Sequence, residues 1–257
     1  MKKIVMVAMV VTFSFLSLRA QQSGRFVVDS IQSEALDHVR KVSIYLPPFF
    51  DPNREYPVIL ATDGQIIEEN NYARTLDSLI AGKWIEPCIL IAPFSDETPV
   101  NGVTVRNLEY SVPGEGNEIA ESYFTNHLRF FTQELKDTIL KKYAVKVRMP
   151  FLFYGCSNGG DYGLFLYGRK EPLFDTYICL SPVNTPDESF KYNANARLYV
   201  AYGDKELEFP FGINLVGLQE EMQKYTAKNV TIKSYKGGHE RGKWMDSFCT
   251  FIKEALH

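Results

Sequence analysis

Apolar residues along this chain come in two kinds of run. At residues 26–31 and 39–46 they are short, alternating or β-branched, which predicts two strands paired as an antiparallel edge. Pro47-Pro48 and Asp51-Pro52-Asn53 then break the chain into a turn. Beyond that point the pattern changes to nearly continuous apolar runs at 58–62, 88–92, 151–154, 176–180, 198–202 and 230–235. Segments that read as helices, 73–81, 122–142, 159–169, 211–227 and 243–256, lie between or after them. A strand that is apolar on both sides is buried on both faces, so the runs predict a mostly parallel sheet with helices on both faces. No internal repeat or low-complexity linker interrupts it, which predicts one α/β domain. Residues 94–117 hold Gly, Pro and Asn with little periodicity. They predict an ordered loop over the carboxyl ends of the strands, where sites of open α/β sheets lie.

The N-terminus has a different character. Lys2-Lys3, an apolar run over 4–18 and then Arg19-Ala20-Gln21 predict an export signal over residues 1–20 and a mature domain over 21–257, periplasmic or secreted. A retained anchor is the competing reading, but the run is short for a full span and polar Gln21-Gln22-Ser23-Gly24 follows it. No Cys lies just after the run, which argues against a lipoprotein. Over all 257 residues, 45% hydrophobic and 23% charged composition argues against disorder. The net charge of -3, without any Lys/Arg block, argues against nucleic acid as a partner. Short pairs such as Lys141-Lys142 are expected to solvate a helix end. Cys88, Cys156, Cys179 and Cys249 lack C-x-x-C spacing and lie in or beside apolar segments. They are expected to be small buried hydrophobes. Export would permit a disulfide, which the sequence does not pair, and neither a metal nor an organic cofactor is implied.

The segment richest in chemistry is Phe151-Leu-Phe-Tyr154-Gly155-Cys156-Ser157-Asn158-Gly159-Gly160. It is an apolar strand entering Gly-x-Ser-x-Gly and then a helix-like stretch, the context of a nucleophile elbow. There a Ser projects its Oγ from a sharp strand-to-helix turn, Gly155 and Gly159 leave room for the close approach, and the Asn158 N–H can donate to a developing oxyanion. The bland reading is a Gly-rich turn with an incidental Ser. A Ser hydroxyl needs a base, and the base needs an orienting acid. Of His38, His127, His239 and His257, only His239 lies between the last predicted strand and the final helix, in Lys236-Gly237-Gly238-His239-Glu240. The acid is expected where the 198–202 strand ends, in Gly203-Asp204-Lys205-Glu206-Leu207-Glu208, and chemistry alone does not separate its three carboxylates. The order Ser, acid, His is that of α/β-hydrolases.

The chain resembles the esterase D-like family of α/β-hydrolases, which includes feruloyl and acetyl-xylan esterases, enterochelin-type siderophore esterases and S-formylglutathione hydrolases. The resemblance covers nearly the whole mature chain. It rests on Arg40-Lys-Val-Ser-Ile-Tyr-Leu-Pro47-Pro48, Tyr56-Pro57-Val-Ile-Leu-Ala-Thr-Asp63-Gly64-Gln65, Arg106-Asn-Leu-Glu109-Tyr110, the elbow, Phe174-Asp-Thr-Tyr-Ile-Cys-Leu-Ser181-Pro182, and Gly237-Gly238-His239-Glu240 with Trp244. In feruloyl esterases of this family the acid stands three positions after the Gly. That register implies Glu206, with Asp204 in reserve, and a Glu in place of the family's Asp is a departure. The resemblance also implies a second oxyanion donor in Asp63-Gly64-Gln65, at the Gln65 N–H. Asp63 and Glu109 are expected to be structural, with Arg106 an available partner. Phe94, Tyr110, Phe209, Phe211 and Trp244 fall in or at the edge of predicted loops; aryl or sugar stacking is the sharper reading, and core packing is the expected role for most of them.

The expectation is therefore an exported serine carboxylesterase acting on a small-molecule or oligosaccharide ester. By analogy the ester is a feruloyl or acetyl group on carbohydrate, with a siderophore trilactone as the alternative. An acyltransferase is a third possibility, and a catalytically silent carbohydrate-associated module on the same fold is the alternative from another class.

Overall fold

The alternation within strand β3 (Glu55–Ala61) sets the plan of the molecule: Val58 and Leu60 pack into one core, Ile59 and Ala61 into a second on the opposite face. Successive side chains of a strand point to opposite sides, so a strand apolar at every position demands cover on both. The structure is a computed structural model describing residues 23–183, 190–207, 212–226 and 228–257. The predicted export signal, Glu208, Phe209 and Phe211 lie outside the described residues.

In chain order, β1 (Arg25–Ser33), β2 (His38–Leu46) and β3 precede two helices, α1 (Gly64–Glu69) and α2 (Tyr72–Ala81). Strand β4 (Ile89–Pro93), a hairpin of β5 (Pro99–Val100) and β6 (Val103–Thr104), and helix α3 (Val105–Tyr110) follow. Helices α4 (Glu118–Arg129) and α5 (Lys136–Lys142) lead to β7 (Lys146–Cys156), α6 (Asn158–Tyr167) and β8 (Thr176–Leu180). The chain ends with β9 (Arg197–Gly203), α7 (Gly212–Gln223), β10 (Val230–Tyr235) and α8 (Arg241–Ala255). One eight-stranded sheet runs β1-β2-β4-β3-β7-β8-β9-β10. The β1–β2 and β2–β4 pairs are antiparallel and all others parallel, so the expected antiparallel N-terminal edge is present on an otherwise parallel sheet. This is the α/β-hydrolase fold.

Each face is covered by what the amphipathic segments supply. Tyr72, Leu76 and Leu79 of α2 and Phe248, Phe251 and Ile252 of α8 fill one side. Tyr162, Leu164 and Leu166 of α6, Leu218 and Met222 of α7, and the α4–α5 run fill the other.

Three features depart from the expected elements. The helix expected over 122–142 starts earlier, at Glu118, where the Asn117 side chain accepts the Ala120 N–H at 3.1 Å, and is interrupted by a π turn, Phe130–Leu135. The wider turn lets consecutive Phe130 and Phe131 both be fully buried against the sheet side. Helix α1 was hidden because it starts at Asp63 in the left-handed conformation (φ 57°), inside a turn-like Asp-Gly sequence. Helix α3 lies within 94–117, capped by Thr104 Oγ1 accepting the Asn107 N–H at 3.3 Å; one and a half turns leave too little periodicity to read. Lys142 closes α5 and pairs with Asp29 of β1 at 2.7 Å.

All four cysteines are free thiols, Cys88 and Cys179 buried, Cys156 and Cys249 partly so. Burial pushes the Cys88 thiol up to about 12, and it raises the thiols of Cys156, Cys179 and Cys249 as well. Among the described residues no helix is long and apolar enough to cross a membrane, and no group of three or more His, Cys, Asp or Glu side chains is placed to hold a metal ion.

His127 is the least conventional core residue. It is fully buried among Tyr110, Phe130, Phe131 and Tyr162, and neither ring nitrogen has a hydrogen-bond partner. Burial, helped by the nearby Arg40 charge, holds its imidazole well below the ordinary His range, so it is neutral in the folded protein. The unfolded chain takes up a proton below about pH 6.5 and the folded one does not, so stability is lost as pH falls through that value. Urea unfolding of wild type should therefore lose up to about 1.4 kcal/mol per pH unit on the acid side beyond what His127→Phe loses; parallel pH profiles would refute this account.

Candidate active site

Strands β3 and β7 are parallel neighbours, and each ends in a residue with positive φ that opens a helix. After β7 that residue is Ser157, at φ 58° and ψ −129°, a conformation that costs a non-glycine residue on the order of 1–3 kcal/mol. Its N–H donates to Leu180 O at 2.9 Å, and its carbonyl accepts the amides of Gly160 and Asp161 at 2.8 and 3.1 Å. The amides of Asn158 and Gly159 stand ahead of that first helical bond, so neither has a helical acceptor. The two elbow glycines are steric requirements: a Cβ on Gly155 would overlap the Gly159 carbonyl, and one on Gly159 would overlap the Thr62 side chain.

The β3 end repeats this construction. Asp63 O accepts the amides of Ile66 and Ile67 at 2.8 and 3.2 Å, which leaves Gly64 and Gln65 N–H ahead of the first bond of α1. The Gln65 side chain turns away, bonding Ser95 in the following loop through Oε1, which accepts the Ser95 N–H at 3.0 Å, and through Nε2, which donates to Ser95 Oγ.

From the far strands come the partners of Ser157. His239, between β10 and α8, has Nε2 3.0 Å from Ser157 Oγ and Nδ1 2.9 Å from Glu206 Oε2. A carboxylate can only accept, so Nδ1 carries the proton and Nε2 is left to accept from the serine hydroxyl. Glu206 lies in a 3-10 turn, Asp204–Leu207, directly after β9, and is 3% exposed. Its Oε1 accepts the Gly203 N–H at 2.7 Å and the Ser181 Oγ–H at 2.8 Å, with the Tyr235 hydroxyl at 3.0 Å. Burial pushes its carboxyl pKa up, but the bonds from His239, Gly203 and Ser181 win and hold it below the ordinary value. Asp204, the reserve acid, is elsewhere: Oδ2 pairs with Lys236 Nζ at 2.7 Å and Oδ1 accepts the Gly237 N–H at 3.0 Å, bracing the loop that carries His239.

Several residues around this chain carried no assigned role from sequence. Ser181, at φ 48° on the end of β8, accepts the Trp244 Nε1–H at 2.8 Å while donating to Glu206. The Trp244 ring meets the His239 ring edge to face, centroids 4.8 Å apart. Tyr110 is buried in a helix rather than a loop, and Trp244 is buried in the first turn of α8. The signal that could have found Ser181 was its place after an apolar strand, the same place Ser157 and Asp63 occupy.

The two acidic residues expected to be structural are both paired, with different partners. Asp63 takes a bidentate Arg106, Nε to Oδ1 at 2.6 Å and Nη2 to Oδ2 at 3.0 Å. Glu109 takes Arg40 the same way, at 2.6 and 3.0 Å, in a pair almost wholly out of solvent. Removing one partner of such a pair strands a buried charge, at a cost of about 3–5 kcal/mol. Arg40 also donates to His38 Nε2 at 3.1 Å, which makes the His38 Nδ1–H the donor to Leu36 O.

Ser157 and His239 open into a cavity of about 540 Å³ over the carboxyl ends of the strands. Ile66, Ile67, Tyr72, Tyr154 and Trp244 give it apolar and aromatic surface, and Arg106, Glu97 and Arg241 give it charge. The Tyr72 and Tyr154 hydroxyls are 2.5 Å apart, and the Cys156 thiol donates to Tyr154 at 3.1 Å. Glu97 and Arg106 come from the loop over 94–117, which does lie over the site.

An eight-stranded sheet in this order, with Ser157, His239 and Glu206 hydrogen-bonded at its carboxyl edge and a cavity above them, has the architecture of the α/β-hydrolase class. The sequence profile of the Esterase family matches residues 33–255, and the chain belongs to that family. It is an esterase. No curated protein matches it by sequence. Among solved structures it is similar to a ferulic acid esterase, at 15% identity and TM-score 0.67 over 92% of this chain and 98% of that one. It is also similar to an IroE-like serine hydrolase from Shewanella oneidensis, at 17% identity and TM-score 0.67 over 90% and 79%. The enterobactin esterase FES from Shigella flexneri matches at 15% identity and TM-score 0.70, over 92% of this chain and 60% of that one. At such identities the likeness is one of fold.

Because the Gly159 contact is with a packed side chain rather than open space, Gly159→Ala should lower stability in denaturant titration by about 1–3 kcal/mol. Gly242→Ala, in α8 with nothing near its added Cβ, should be neutral or stabilising; equal losses in the two would show that the elbow is not sterically tight.

Proposed function

We propose that this chain is an exported serine carboxylesterase working through an acyl-enzyme. The observation that carries the reading is the unbroken hydrogen-bonded chain from Ser157 through His239 to a buried, ionised Glu206, opening into the cavity. His239 Nε2 takes the Ser157 proton as Oγ attacks the ester carbonyl. The N–H groups of Asn158 and Gln65 hold the oxyanion that forms, each such donor commonly supplying about 3 kcal/mol of transition-state stabilisation. Collapse expels the alcohol, which takes the proton from His239. His239 then deprotonates a water that attacks the acyl-enzyme, releasing the acid and restoring Ser157. Glu206 fixes the His239 tautomer and stabilises the imidazolium without itself taking the proton.

For the substrate, the reading is an acyl or aryl-acyl ester on carbohydrate. It is supported by the aromatic surface of Tyr72, Tyr154 and Trp244 in a cavity of a size that holds such a group, and by the ferulic acid esterase among the structural neighbours. Export rests on the N-terminal leader pattern alone.

The purified mature protein should release p-nitrophenol from a short-chain acyl ester and react with a fluorophosphonate, and Ser157→Ala should lose both. Undiminished turnover in that variant would sink the assignment, and an unreactive wild type would favour a silent binding module. Glu206→Gln should lower kcat by about 10³–10⁴-fold, and Asp204→Asn should stay within about twofold; the reverse ranking would transfer the acid role to Asp204. Feruloyl-sugar and enterobactin hydrolysis, run side by side, should favour the sugar ester.

A further inference from the structure

The geometry points to Arg106 as a positioning residue that sets the spacing of the two amide donors, Gln65 N–H and Asn158 N–H, by holding both segments with one rigid group. This rests on the hydrolase reading above. Each donor lies at the start of a helix that follows a positive-φ residue, on neighbouring strands whose last link is the Thr62 N–H to Tyr154 O bond at 3.0 Å. Beyond that bond the two turns diverge into separate helices, and the ladder no longer holds them together. Arg106 spans the gap. Its Nε and Nη2 grip both oxygens of Asp63, two residues before Gln65, and its Nη1 donates to the Asn158 side-chain Oδ1 at 3.1 Å.

The arginine itself is fixed from behind. Its backbone N–H donates to Asp96 O at 2.7 Å, its guanidinium lies 5.1 Å over the Tyr110 ring, and its pair with Asp63 is largely out of solvent. The Asp63 carboxylate keeps the guanidinium charged against the effect of burial. A guanidinium is planar with five N–H groups in a fixed fork, so three bonds to two segments define their relative position. A lysine ammonium is a point donor on a flexible stem and can neutralise Asp63 without defining that geometry. Donor placement matters at the level of about 1 Å, where misplacement can cost on the order of 100-fold in rate.

Two readouts test the role. In steady-state hydrolysis of a p-nitrophenyl ester by the mature protein, Arg106→Lys should lower kcat by about 10–100-fold, with KM and the pH profile unchanged. Asn158→Ala, which removes only the Nη1 arm, should lower kcat less, and the double variant should fall short of the product of the single losses. By ¹⁵N relaxation, the Gln65 and Asn158 amides should both gain mobility in Arg106→Lys, while the Ser181 amide in its bond to Ala201 O should not. Unchanged kcat, a loss confined to KM, or multiplicative losses would overturn the role, the second by making Arg106 a substrate contact. Rigid Gln65 and Asn158 amides in the variant would also overturn it, whether or not the protein hydrolyses esters. A wild type without Ser157-dependent turnover would instead overturn the hydrolase reading, with the relaxation readout still deciding for or against Arg106.

Discussion

The parallel pairing of β3 with β7 is the constraint on which the rest of the site depends. Two adjacent strands, both buried on both faces, must leave the sheet at the same edge, and each does so through one left-handed or strained residue that turns at once into a helix. Backbone N–H groups ahead of the first helical bonds therefore stand on neighbouring turns at one edge of the sheet. The glycines at 155 and 159 follow from that closeness, since the helix after β7 passes within contact of the strand it left and of Thr62. The strain at Ser157 is tolerated because Leu180 O and the first turn of α6 hold both sides of the residue.

The acid end works on a different principle. Glu206 sits behind His239, almost without solvent, and three donors hold its Oε1: Gly203 from its own turn, Ser181 from the end of β8, Tyr235 from β10. Trp244 reaches into the same network from α8 and walls the imidazole. A Glu carries one more methylene than an Asp, and the extra length is taken up in a 3-10 turn whose carboxylate folds back onto the amide at the end of β9. The ends of three strands, β8, β9 and β10, thus converge on the one carboxylate that holds the His239 ring.

Strand positions and the site's chain order were legible because both depend on local pattern: continuous apolar runs, Gly-x-Ser-x-Gly after one of them, a His in the loop between the last run and the final helix. The pairings that give the site its rigidity were not. Arg40 with Glu109, Arg106 with Asp63 and Asn158, and Ser181 with Glu206 join residues 25 to 69 positions apart, and nothing local marks them. Arg106 could be matched with either acid from sequence, and only the course of α3 decides that it faces Asp63 while Arg40 faces Glu109. Helix α1 was illegible for the opposite reason, because its start looks like any Asp-Gly turn and its six residues are too few to show a period.

The four thiols carry a consequence for how this protein is made. Disulfide exchange needs a thiolate, and burial raises each of these thiols above its ordinary value, so little of the reactive form exists once the chain has folded. The fold draws no stability from a crosslink and offers an oxidant little to act on. Once the chain has folded, the two fully buried thiols, Cys88 and Cys179, are poor partners for exchange, so any oxidation of these two during production belongs to the chain before it has folded.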